Sequence, residues 1–323
     1  MGSQKLMNYG SETAAPHGVM RLKRIYAQHI KRSLPLYIMF FPIIIYYTIF
    51  RYIPISGLII AFKDYRILDG ILGSQWVGFE NFKLLFSNPY CLKVIYNTVF
   101  LRLVGIIVGF PVPIILAILI NEIKKKWFKS SVQTLIYLPY FLSWVIVAGM
   151  IVTIFGQGNG SILNHYIKML TGNTVPFLNT PHSWIMIFVG SGIWKEAGFN
   201  AILFLSALTA IDPALYESAA LDGAGKLKQI WHVTLPGITS TIIVVLILAL
   251  GRVMQMGFDQ IYMLQNAAVN DVADVIVTYI FRVGIQQGNY SLTSAMSLLE
   301  SLIGFLFIFT SNKIAGKFGE SLW

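Results

Sequence analysis

The stretch "YESAALDGAGKLKQIWHVTLPGI", Tyr216–Ile238, decides how the rest of the chain is read. It is a polar, glycine-containing piece set between two of the most apolar segments of the sequence. Asp212 is a good N-cap and Pro213 suits the first helical turn. "ALYESAALD" is rich in helix formers, and Gly223 and Gly225 end the helix. A second short helix is expected over about 226–233, stopping before Pro236. The small residues Ser218, Ala219 and Ala220 leave one side thin enough to press into a groove on another protein, with Glu217 free for an ion pair. The plain alternative is a linker lying on lipid. Such linkers favour bulky anchors and Lys or Arg, whereas this one offers alanines, glycines and an acid.

The flanking composition sets the solvent. Of 323 residues, 56% are hydrophobic and 12% are charged, and mean hydropathy is +0.67. Soluble domains carry about 25% charged residues, so this apolar surface needs lipid. A span takes roughly 20 apolar residues, and six segments qualify: about 34–60, 94–120, 132–156, 183–208, 238–264 and 293–312. The first holds Pro42 and Pro54 and the second Pro111 and Pro113. Kinks rather than breaks are expected there, because neighbouring helices can satisfy the freed carbonyls.

The net charge of +10 could point to nucleic acid, but the positions of the charges exclude it. With the N-terminus on the cytoplasmic side, that side collects fourteen Lys and Arg, among them Lys124, Lys125, Lys126, Lys129, Lys226 and Lys228. The other side holds six: Lys63, Arg66, Lys83, Lys93, Lys168 and Arg282. The basic charge is therefore topogenic, with both termini inside and the stretch from Ile211 to Pro236 as the longest cytoplasmic connection. Val19–Arg32 reads either as an interfacial helix or as a simple positive flank. The organisation is a basic N-terminal segment 1–33, a first span and outer loop 34–93, a core 94–312 with the cytoplasmic loop 211–236, and a tail 313–323. No internal repeat is evident. The single cysteine, Cys91, excludes an intramolecular disulfide and a cysteine metal cluster. It is expected near the outer surface, within reach of an impermeant thiol reagent if it is not buried. No His spacing indicates a metal site, and no cleavable signal is visible at the N-terminus.

The loop resembles the cytoplasmic signature of importer permeases of the ATP-binding-cassette superfamily: E-A-A, three residues, G, nine residues, I-x-L-P. Glu217, Ser218 and Ala219 take the triplet, Gly223 the glycine, and Val233, Leu235 and Pro236 the end. Ser218 for Ala and Val233 for Ile are mild departures, and Asp222-Gly223-Ala224 is similar to the form found in sugar permeases. "AFKDYR" (Ala61–Arg66), "WVGFENFKLLF" (Trp76–Phe86), "ILAILINE" (Ile115–Glu122) and "QTLIYLPYFLSWVIV" (Gln133–Val147) extend the resemblance over most of 35–312. They are most similar to carbohydrate-uptake permeases serving complex oligo- and polysaccharides, acidic ones such as alginate among them.

This resemblance implies an all-α, polytopic membrane protein of about six transmembrane helices with the type I importer permease fold, in a bacterial inner membrane. It implies a non-catalytic subunit with no cofactor of its own, since ATP and Mg belong to two partner ATPase subunits into which the loop docks. It also implies a second homologous permease, a heterodimer with this one, and an extracytoplasmic sugar-binding protein. The residues agree that no ATPase is present: near "GAGKL", a phosphate-binding loop would need Gly at 220 and Ser or Thr at 227, where Ala220 and Leu227 stand.

Ionisable groups within spans are costly and face protein or water. Arg252, Gln255, Met256 and Asp259 fall at i, i+3, i+4 and i+7 on the expected fifth span and would share one face. Trp194, Lys195, Glu196 and Asn200 cluster on the fourth, with Arg102 on the second and Glu300 on the sixth. One reading is a translocation path that hydrogen-bonds a sugar. The other is internal pairing, in which Arg102, Lys195 and Arg252 balance Glu196, Asp259 and Glu300. A secondary transporter, or a permease of the same architecture for a non-sugar solute, is the rival class. The secondary transporter would need discontinuous helices and inverted repeats, and would leave the loop unexplained.

Overall fold

The computed structural model describes residues 33–158 and 160–317. Residues 1–32, which carry the basic segment and the expected interfacial helix, lie outside the described residues, as do 318–323 of the tail. Contacts divide the chain after Leu58. The first unit's described residues all belong to an apolar helix, α1 (Ser33–Phe62). The larger unit, from Ile59 onward, holds everything discussed below.

After α1 the chain forms a small cap. The two-residue strands β1 (Lys63–Asp64) and β2 (Gln75–Trp76) pair antiparallel, Lys63 opposite Trp76. Buried Asn81, at the start of helix α2 (Glu80–Ser87), donates to the carbonyls of Ala61 and Lys63 at 2.9 and 3.1 Å. Phe62 stacks on Trp76 and meets Phe79 and Phe82 edge-on or tilted. The aromatic "WVGFENF" segment thus builds the cap that seats the outer end of the next helix.

That helix, α3 (Pro89–Asn121), runs 33 residues without a break. At 1.5 Å per residue it is about 50 Å long and exceeds a hydrocarbon core of about 30 Å. Pro111 and Pro113 fall where its second half begins, and the helix continues through them. The last long helix, α13 (Tyr290–Gly316), is also continuous.

The expected third span is not a straight helix. Helix α4 (Lys126–Tyr137) with its following 3-10 turn and helix α5 (Trp144–Phe155) meet at 98°. The bend lies at Leu142–Ser143, where the Ser143 hydroxyl caps the new helix by accepting from the Ile146 amide at 3.4 Å. Tertiary packing causes it. Helix α7 (Pro181–Thr209) crosses α4 at Gly198, where a Cβ would lie 2.1 Å from the Ile136 carbonyl oxygen. Only glycine lets the two backbones approach that closely. The Tyr140 carbonyl freed at the bend is taken by Lys195 Nζ at 2.6 Å.

The outer connection carries helix α6 (Ile162–Thr171). α7 ends at Thr209, and helix α8 (Pro213–Leu221) departs from it at 72°. A helical segment α9 (Lys226–Gly237) follows, then α10 (Thr239–Gly251), inclined to it by 62°. The expectation that the second loop helix stops before Pro236 is corrected: a π turn, Ile230–Thr234, carries the helix through Leu235–Gly237. The wider turn accommodates a proline that has no N–H to donate.

The expected single face of Arg252, Gln255, Met256 and Asp259 is also corrected. α10 ends at Gly251, and Arg252 and Val253 bond back only three residues, to Ala249 and Leu250. A new helix, α11 (Phe258–Leu264), starts after extended Gly257. Val253 and Met254 are both buried against Val94, Ala295 and Met296. Burying two consecutive side chains turns the chain out of its helix there. Asp259 instead sits in the first turn of α11, where a helix dipole favours an acid. Among the described residues, three helices are long and apolar enough to cross a membrane, or up to six if each bent pair is one span.

Candidate functional site: a polar loop and a cavity among the helices

The loop's geometry follows from its local sequence. The Asp212 carboxylate accepts from the Ala214 amide at 2.9 Å, and Pro213 occupies the first position of α8. At the other end Gly223 takes φ +75°. The Ala224 amide then reaches the Ala219 carbonyl at 2.9 Å and the Gly223 amide the Ala220 carbonyl at 3.1 Å. This pair of bonds satisfies the last carbonyls of α8 and depends on the left-handed residue between them.

Two anchors hold the loop. Ile230, Leu235 and Ile238 pack with Ala117, Phe204 and Leu208 beneath α3 and α7. Lys226 Nζ meets Glu122 Oε2 at 2.7 Å, joining the loop to the end of α3. Tyr216 and Thr234 hydroxyls lie 3.1 Å apart and tie α8 to α9. Glu217, Ser218, Asp222, Gly223 and Pro236 are exposed, while Ala219, Ala224, Val233 and Leu235 are half-buried. Sequence reasoning missed the apolar part of this surface: Leu221, Leu227 and Trp231 are 90%, 75% and 67% exposed. Three large apolar side chains in a polar loop were the available signal. An exposed apolar patch of this kind marks an interaction surface.

The candidates expected within the spans fall into four groups. A cavity of about 600 Å³ is lined by Arg102, Glu196, Asn200, Arg252 and Met256. Gln260, which sequence reasoning missed, joins them; its amide donates to the Phe188 carbonyl at 2.8 Å. Gln255 and Glu300 line a second, smaller cavity of about 320 Å³ with Ser297 and Ser301. Lys195 is buried away from both, between the Tyr140 and Trp144 rings at 5.3 and 5.5 Å, where it caps the bend. Trp194 and Asp259 are exposed and line neither cavity. Among the described residues, the ion pairs within 4.0 Å include none of these intramembrane charges.

The buried ion pair lies elsewhere. Asp274, 1% exposed in its side chain, meets Arg282 at 2.5 Å, and the Tyr90 and Thr278 hydroxyls also donate to it. Asn97 donates to the Asp271 and Asp274 carbonyls, both at 3.0 Å. Asp274, by its hydrogen bond and charge, holds the Arg282 guanidinium above its ordinary value. This clasp fastens the outer end of α3 to the loop before helix α12 (Ile276–Gln286). Cys91 lies under it, fully buried, 3.3 Å from the Tyr279 hydroxyl. The condition for a thiol reagent to reach Cys91, that it not be buried, is therefore not met.

The family model for the binding-protein-dependent transport system inner membrane component matches residues 94–318. The polygalacturonan/rhamnogalacturonan transport system permease protein YteP of Bacillus subtilis (strain 168) is 41% identical over 285 residues, 88% of each chain. A chain in the crystal structure of a bacterial ABC transporter involved in the import of the acidic polysaccharide alginate superposes with a TM-score of 0.83. It is 38% identical, and the match covers 91% of this chain and 99% of that one. A structure of the bacterial alginate transporter with an alginate pentasaccharide-bound periplasmic protein gives a TM-score of 0.83 at 37% identity, over 91% and 98%. A capped loop helix, a cavity lined by both charged and apolar side chains, and matches of this extent agree: the chain belongs to the binding-protein-dependent transport system inner membrane component family, as a permease of the carbohydrate-uptake branch of the ABC importers.

Proposed function

We propose that this chain, with a second homologous permease, forms the membrane path of an ATP-driven importer for an oligosaccharide or polysaccharide, acidic ones such as alginate included. An extracytoplasmic binding protein delivers the saccharide, as the pentasaccharide-bound periplasmic protein in the related complex suggests. ATP and Mg are held by two ATPase subunits, and this chain contributes no catalytic group. Both termini lie on the cytoplasmic side with the loop.

The observation that carries this reading is the construction of the loop. α8 leaves α7 at 72° and presents Glu217 and Leu221 outward, while Ile230, Leu235 and Ile238 hold its base beneath the spans. An exposed surface on a rigid lever joined directly to a transmembrane helix suits transmission of movement from a partner. Closure of the ATPase subunits would pull α8, and α8 would swing α7 and the cavity wall that α7 supplies.

Because Cys91 is buried, Glu217→Cys introduces the one reactive thiol among the described residues. In the co-expressed importer, a bifunctional thiol–amine reagent at this position is expected to join the permease to an ATPase subunit. Labelling of the Glu217→Cys variant by an impermeant reagent from outside, without an ATPase adduct, would overturn the proposal.

A further inference from the structure

We infer that Arg102 and Arg252 are the carboxylate-reading pair of the larger cavity, so that the permease itself selects uronides, with Glu196 as a fixed partial counter-charge. This inference rests on the importer reading above. Arg102 projects from α3, Glu196 and Asn200 from α7, and Arg252 from the unwound segment after α10. Arg102, Glu196 and Arg252 all line the same cavity, and Glu196 is the one acidic residue among its lining. Two guanidinium groups therefore share one cavity with a single carboxylate, and the wall keeps an excess positive charge.

The arginines are not spent on each other's neighbours. Among the described residues neither forms an ion pair within 4.0 Å, and Arg102 Nε is buried without a hydrogen-bond partner. A guanidinium offers five donors in a planar fork and matches a carboxylate with two parallel bonds. An orphan buried donor is costly, and a carboxylate arriving with the substrate would relieve it. A neutral sugar's hydroxyl oxygen could accept a single bond there, but it would bring neither the compensating charge nor the two-pronged fit.

The rest of the wall suits a saccharide chain. Gln260 is oriented by its bond to the Phe188 carbonyl, which leaves its amide oxygen as an acceptor. Asn200 adds an amide one turn beyond Glu196, and Phe188 and Phe199 supply apolar faces for sugar C–H groups. The volume lies in the range of about 300–1,000 Å³ that holds small-molecule ligands. Glu196 keeps the wall from binding an anion too tightly for onward passage, since it competes for the same guanidinium groups.

The test uses the purified complex of both permeases and the ATPase subunits, without the binding protein, so that its own selectivity does not enter. Binding of an oligouronide and of the same oligosaccharide with its carboxyl groups reduced to alcohols is measured by calorimetry. The wild type is expected to bind the oligouronide about tenfold or more tightly than the reduced probe. Arg102→Gln and Arg252→Gln should each collapse that preference, the oligouronide losing far more affinity than the reduced probe. Arg102→Lys and Arg252→Lys, which keep charge but lose the fork, should fall between. Equal affinity of the wild type for the two probes overturns the inference and leaves the importer reading standing. Equal loss of both probes in the Gln variants also overturns it. So does disassembly of the complex in those variants, which would assign the arginines to pairing with the second permease. Binding of neither probe by a wild type whose ATPase activity the binding protein does not stimulate would instead sink the importer reading.

Discussion

Replacing Gly223 by valine tests the docking loop at the point where its geometry is most constrained. Gly223 sits at φ +75°, and a Cβ built there meets no atom within 4 Å. The penalty is therefore conformational alone. A β-branched side chain held in the left-handed region costs about 1–3 kcal/mol, which shifts a local equilibrium by roughly 5–150-fold. That cost falls on two hydrogen bonds, from the amides of Ala224 and Gly223 to Ala219 and Ala220. The variant is expected to redirect α9 and misalign Leu227 and Trp231 against Glu217 and Leu221. Insertion should be normal, because the anchors at Ile230, Leu235 and Ile238 are untouched. Asn tolerates the left-handed region better than valine, so Gly223→Asn should be the milder change. Co-purification of the ATPase subunits and ATP-dependent uptake would be measured for both variants. Valine is expected to lose coupling, or the ATPase itself, and Asn to retain much of it. Wild-type values for Gly223→Val would refute the reasoning, and equal damage by Asn and Val would show that side-chain bulk, not backbone geometry, matters.

Other expectations follow from the same structure. Gly105 lines the larger cavity and a Cβ there meets nothing within 4 Å, so Gly105→Leu should insert and assemble normally yet abolish uptake. Arg282→Met leaves the Asp274 carboxylate buried without its cation. Thermal unfolding in nanodiscs should show a loss of about 3 kcal/mol, the low end for a broken buried pair, because the Tyr90 and Thr278 hydroxyls still donate to it. Cys91 should resist maleimide from both sides of the native membrane and react once the protein is denatured, and rapid native labelling would contradict its packing under Tyr279.

How much of this was legible in the sequence depended on how local each feature was. Asp212, Pro213 and Gly223 specify caps and a turn within a dozen residues, so α8 and its C-terminal turn could be read directly. Long apolar runs announced α1, α3 and α13. The bend at Leu142–Ser143 could not be read, because it depends on α7 crossing at Gly198, more than fifty residues away. The break at Arg252 was hidden for the same reason: an apolar run gives no sign that Val253 and Met254 will both turn inward. Spacing placed Arg252 and Asp259 on one face only while the helix was assumed to continue. Lys195 looked like a path residue by its position in a span, yet its partner is a backbone carbonyl that exists only because α4 and α5 are bent. The Asp274 clasp joins residues up to 192 positions apart, and no local pattern marks it.

The breaks in the third and fifth segments are features shared with ion-driven transporters, whose sites use discontinuous helices. Uptake of a labelled oligouronide into proteoliposomes carrying both permeases and the ATPase subunits separates the two energy sources. Uptake is predicted to require ATP on the loop side and the binding protein on the other, and to be indifferent to proton and sodium gradients. Uptake driven by an ion gradient in the absence of ATP would contradict it.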